Sequence, residues 1–168
     1  LMAGVAAIGL FCSTVALATT ATVTANIAFE NAITITPNNQ INFGIVTAAV
    51  GAGDSYKISS AGAVTVLAGT GVSLGGTIQA GSYSIAGSAT QTINISVGNY
   101  VTNSSVAPTT AVCAYNGGAE DADCVIAGAA APTGAGKTLL VGVTVTTTGA
   151  KAAGTTAAPT FDLTVVYT

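Results

Sequence analysis

From Ala21 onward the chain alternates apolar and polar residues with a period of two. Ala21, Val23, Ala25, Ile27 and Phe29 alternate with Thr22, Thr24, Asn26 and Ala28. Ile33 and Ile35 alternate with Thr34 and Thr36, and Pro37-Asn38-Asn39 is expected to turn the chain. Ile41, Phe43 and Ile45 follow, with Gly44 placed where a bulge would fall. A period of two puts successive side chains on opposite faces of a strand, and no helical period competes with it. Further strands are expected at 55–60, 63–67, 72–79, 82–86, 91–97, near 109–114 and 124–127, at 138–147 and at 161–167. Gly, Asn, Pro and Ser clusters separate them. The Ala/Gly-rich stretches 127–136 and 149–158 read as loops. Many short strands with frequent turn signals predict an all-β, antiparallel Ig-like or jelly-roll sandwich. One domain is expected over 19–168.

Residues 1–18 (LMAGVAAIGLFCSTVALA) break this pattern with a continuous apolar run. Ala16 and Ala18 stand where a signal peptidase reads small residues, so the run matches the h-region and cleavage site of a secretory signal. No Lys or Arg accompanies it. The other reading is a retained hydrophobic N-terminal segment, as in type IV pilin-like proteins. Either reading exports the protein and leaves it secreted or at the cell surface.

Composition narrows the chemistry. The 168 residues include three Lys/Arg, six Asp/Glu and no His, for a net charge of −3. Charged residues make up 5%, against about 25% in ordinary domains. Lys57, Lys137 and Lys151 are far apart, so no basic footprint exists for nucleic acid. Ser and Thr abound, but no His and no Ser–Lys motif is present to activate them, so an enzyme is not expected. No cofactor is implied.

Four local patterns carry possible chemistry. Ala131-Pro132-Thr133-Gly134-Ala135-Gly136-Lys137-Thr138 fits a loose phosphate-binding loop, A-x-x-x-x-G-K-T. The mechanism needs a helix after the loop, and Leu139-Leu140-Val141-Gly142-Val143 reads as a strand, so nucleotide binding is not expected. Glu120, Asp121 and Asp123 form the acidic cluster; they read as a solvated loop, with a Ca²⁺ site as the sharper alternative. Cys113 and Cys124 flank that loop, and in an exported protein the pair reads as a disulfide. Asn94-Ile95-Ser96 and Asn103-Ser104-Ser105 are glycosylation sequons, meaningful only in a host that modifies them.

The two ends of the 19–168 region hold the most suggestive pattern. The last strand places Phe161, Leu163, Val165 and Tyr167 on one face. The segment 21–29 is equally regular and carries no charge or proline to blunt its edge. Either both strands complete their own sandwich, or 21–29 is donated to a neighbouring subunit. In the second case Val23, Ala25, Ile27 and Phe29 supply the inserted side chains, received along Phe161, Leu163, Val165 and Tyr167.

Ala21-Thr22-Val23-Thr24-Ala25, Ile33-Thr34-Ile35, Ile41-Asn42-Phe43-Gly44 and the closing Thr-containing strand together resemble a bacterial secreted family, the domain-of-unknown-function family numbered 4402. The resemblance covers both ends of the 19–168 region, while 50–135 is similar only in composition. It implies a pilin-like β-sandwich. The ending, with Tyr167 penultimate, is also similar to chaperone–usher pilins. That likeness implies other copies of this chain and a periplasmic chaperone or export machinery as partners. The late position of Cys113 and Cys124 departs from those pilins, whose disulfide joins early strands. The expectation is therefore a structural subunit of an extracellular filament. The alternative is a monomeric, adhesin-like surface-binding module.

Overall fold

The computed structural model describes residues 20–47, 51–133 and 136–168. Eleven strands appear in the described residues: β1 (Thr34–Asn39), β2 (Asn42–Val46), β3 (Ser55–Ile58), β4 (Val64–Ala68), β5 (Ser73–Gln79), β6 (Gly81–Ala86), β7 (Ile93–Val101), β8 (Val106–Tyr115), β9 (Ile126–Ala129), β10 (Lys137–Thr147) and β11 (Thr160–Tyr167). Every pairing between them is antiparallel. The molecule is an antiparallel β-sandwich.

β10 is its spine. Leu139, Val141, Val143, Val145 and Thr147 face the core, and Thr or Leu alternates with them on the other side. β8 pairs along nearly the whole of one edge of β10. The other edge is shared between β6, at Lys137–Val141, and β3, at Val143–Thr146. β1 lies outside β6, and β4 outside β3. A second sheet runs β11-β7-β9. Ile93, Ile95 and Ala129 of this sheet meet Tyr56, Ile58, Ile85, Ala111, Cys113, Tyr115 and the β10 side chains in one buried core.

At the handover between β6 and β3 stands Gly142. A Cβ there would lie 2.6 Å from the Ser59 carbonyl carbon and closer still to the Ile58 oxygen. Only a residue without a side chain lets the turn after β3 lie directly against β10.

β2 and β5 form a two-stranded ribbon that continues β1 and β6. Gly44 does mark a bulge: the register shifts between Phe43 and Ile45, and Gly44 has a φ of 73°. Two local expectations change. Pro37-Asn38-Asn39 is not a turn but the bulged end of β1, and the chain turns after Asn39. Pro37 is tolerated because β1 is an edge strand whose outer side needs no donor. The stretch 127–136 is not all loop, because Ala127–Ala129 pairs within β9.

Candidate assembly interface

β11 is an edge strand. It pairs with β7 on one side and, among the described residues, with no strand on the other. Its register is fixed by Thr168, whose N–H donates to the Thr92 carbonyl at 3.1 Å. Hydrogen-bonded and non-bonded pairs alternate in an antiparallel pair. With Tyr167 opposite Ile93, Val165 opposite Ile95 and Leu163 opposite Val97, those three residues direct their N–H and C=O groups away from β7. Among the described residues no backbone group meets them.

The side chains of Phe161, Leu163, Val165 and Tyr167 share one face, as their spacing predicts, and are only half-buried. They pack on the core of their own sandwich.

Residues flanking β1 lie near both ends of β11. Ile33, just before β1, and the Tyr167 hydroxyl both approach Gly87. At the other end, a recess of about 140 Å³ is lined by Gln40, Ile41 and Tyr83 together with Pro159, Thr160 and Phe161. Between these two meeting points lies a seam whose bordering strands, β1 and β11, have no outer partner among the described residues. On the β1 side Ile35 lies opposite buried Ile85, yet is 37% exposed.

Among the described residues, 21–29 pair with no strand. They lie in no sheet and are exposed throughout, with Val23 89%, Ile27 76% and Phe29 85% exposed. Ala25 is exposed with them. The structure thus does not place 21–29 against Phe161, Leu163, Val165 and Tyr167 of the same chain.

The segment is held only at its root. The Tyr167 hydroxyl donates to the Asn31 carbonyl and accepts from the Ser88 N–H, the latter at 2.6 Å. The Thr90 hydroxyl donates to Glu30 at 3.2 Å. Hydrogen bonding from Ser88, with smaller help from Thr90 and Gln91, holds the Glu30 carboxyl below its ordinary range. Sequence reasoning placed Tyr167 on the interface face but missed this role, because nothing in a strand's alternation says where a terminal hydroxyl lands.

The acidic loop is built differently from a metal site. Glu120 points at β3 and its turn: Lys57 Nζ donates to it at 2.9 Å, and the Ser60 N–H and hydroxyl each donate at 2.7 Å. Burial alone would raise its pKa, but these bonds outweigh it and hold the carboxyl below its ordinary value. Asp121 caps its own loop, accepting from the Val125 N–H at 3.0 Å and the Asp123 N–H at 3.3 Å. Glu120, Asp121 and Asp123 are thus not gathered around a common point. No group of three His, Cys, Asp or Glu among the described residues is arranged to hold a metal ion.

Cys113 and Cys124 are joined, as expected, in a fully buried disulfide. Between this loop and β9 lies an open recess of about 380 Å³, lined by Tyr115, Asn116, Glu120, Ile126 and Ala130 among others.

The remaining candidates find structural places. Lys137 opens β10, so the Gly-rich loop before it leads into a strand, not a helix. The Asn94 side chain accepts from the Gly128 N–H at 2.8 Å in the β7–β9 seam. Asn103 is exposed at the turn before β8, where its side chain accepts from the Ala158 N–H at 3.1 Å. The signal-or-anchor reading of 1–18 lies outside the described residues. Asp54, which sequence reasoning passed over, is 3% exposed and ties two loops by accepting from the Gly51 and Thr70 N–H groups. Its setting, Gly51-Ala52-Gly53-Asp54, is a turn signal that could have found it.

The described residues form an all-β, disulfide-bonded sandwich in which 21–29 pair with no strand. No family model, curated protein or solved structure matches this chain.

Proposed function

We propose that this protein is a structural subunit of an extracellular filament, assembled by β-strand addition between copies. The observation that carries the proposal is the segment 21–29, regular in its alternation, free of charge and exposed along its length, in a molecule whose described residues also leave the outer edge of β11 without a partner strand. Val23, Ala25, Ile27 and Phe29 of one copy enter the β1–β11 seam of the next. There they cover Phe161, Leu163, Val165 and Tyr167.

Lengths agree: nine residues of strand span about 30 Å and the eight of β11 about 27 Å. Burying a large apolar side chain contributes about 2 kcal/mol, and three such side chains lie exposed in the segment. The backbone groups of Leu163, Val165 and Tyr167 supply the ladder, and the alternation fixes register, since a one-residue slip would turn every apolar side chain outward. The buried disulfide fits an oxidising compartment, in keeping with export.

The test is electron microscopy of the purified 19–168 protein, alone and after removal of 19–29. Filaments from the first and none from the second support the proposal. A monomeric surface-binding module is the other reading, favoured by the recess beside the disulfide loop. Discrete particles with a ligand-dependent change at Tyr115 or Asn116 would favour it.

A further inference from the structure

The exposed segment is free only as far as Phe29. Beyond that it is fastened to a turn that is itself rigid. Ser88 is fully buried, and its hydroxyl accepts from the Thr90 and Gln91 N–H groups, each at 3.1 Å. This turn presents the Ser88 N–H to Tyr167 and the Thr90 hydroxyl to Glu30. Tyr167 then reaches on to the Asn31 carbonyl. Gly87 makes room for the junction. A Cβ there would lie 2.5 Å from the Tyr167 hydroxyl, 3.3 Å from Pro132 and 3.5 Å from Ile33, so three elements converge on one point.

We infer that Tyr167 is a positioning residue that fixes the direction in which the donor segment leaves the sandwich, and so the orientation of each subunit relative to the next. The inference rests on the strand-addition reading above. Its physical content is that one residue serves two sides. The Tyr167 backbone belongs to the free edge that receives a strand, and its hydroxyl holds the root of the strand that is given. Both joints of a subunit thus share one rigid unit. A donor tethered only through a flexible root would leave subunits free to swivel. A donor clamped at Asn31 sets one angle.

The experiment is Tyr167→Phe in the 19–168 protein, read by backbone NMR relaxation on the monomer and by helical reconstruction of filaments. Thr90→Val, at an exposed position, loosens the same root by removing the hydroxyl's bonds to Glu30 and Ser88, and serves if Y167F folds poorly. The wild type is expected to show order parameters near about 0.85 at Asn31–Ile33, falling to below about 0.6 in the variants. The variants' filaments are expected to show a broadened distribution of twist at unchanged subunit fold. Unchanged order at 31–33, or filaments of unchanged twist, would overturn the inference. Wild-type protein that forms no filaments would instead sink the strand-addition reading, while the relaxation data would still report on the clamp.

Discussion

Lys57 and Glu120 meet at 2.9 Å across the outer face of the larger sheet, 63 residues apart in sequence. The contact matters because the turn from β3 into β4 lies against β10 at Gly142, and Glu120 pins that turn through both groups of Ser60. Replacing Glu120 by Gln should cost about 1 kcal/mol in chemical denaturation, below the usual range for charged hydrogen bonds because both partners are partly exposed. The pH dependence follows from the sign of the shift. A carboxyl held below its ordinary value when folded contributes stability above about pH 4.5 and loses it as pH falls through the lowered folded value. The wild type should therefore lose stability below that pH more steeply than E120Q. Asp121 and Glu30, shifted the same way, leave the variant a smaller acid limb.

Gly142→Ala tests this close approach itself. Its methyl would run into the backbone of Ile58 and Ser59, which cannot rotate away as a side chain could. A loss of about 2–3 kcal/mol is expected, at the upper end of overpacking costs. Calorimetry showing a change under about 0.5 kcal/mol would mean that the approach is looser than described.

Among the described residues the Tyr56 hydroxyl is buried without a protein partner, pressed against Gly71. Burial, with the nearby Asp54 carboxylate adding to it, raises its pKa. Tyr56→Phe removes an unsatisfied polar group and keeps the ring, so thermal unfolding should show neutral to mildly higher stability, by up to about 1 kcal/mol.

Removing the disulfide with Cys113→Ala and Cys124→Ala together should cost about 2–3 kcal/mol, since the bridge spans 11 residues. The loop should keep its Glu120 tie, so the double variant combined with E120Q should lose more than the two losses added, because each then constrains the loop alone. Simple additivity in denaturant melts would show that the two ties act independently.

Most of the sandwich was readable from alternation. The strand from 138 to 147 emerges as β10 almost residue for residue, because Val and Leu recur there at every second position, with Gly142 the one break on the other face. Gly44 was legible because a glycine that breaks a period-two run has few other reasons to be there. Pro37-Asn38-Asn39 misled because turn residues are also tolerated at the end of an edge strand, and only the sheet shows which strands are edges. The sharing of β10 between β6 and β3 was not legible, since pairing order depends on which strands meet in space. The interface was half legible. The sequence shows two regular terminal strands, but only the structure shows that 21–29 stays unpaired, and only it brings Tyr167 to Asn31.

The most direct test of the central claim is to mix two subunit variants, each inert alone. One lacks residues 19–29 and keeps the seam. The other keeps the segment and carries Val165→Lys, which places a charge on the half-buried face of β11. If the segment of one copy fills the seam of another, each variant alone forms no filaments, and the mixture gives a discrete heterodimer by size-exclusion chromatography and light scattering. Filaments from the 19–29 deletion alone, or a mixture that stays monomeric beside wild-type protein that polymerises, would contradict it.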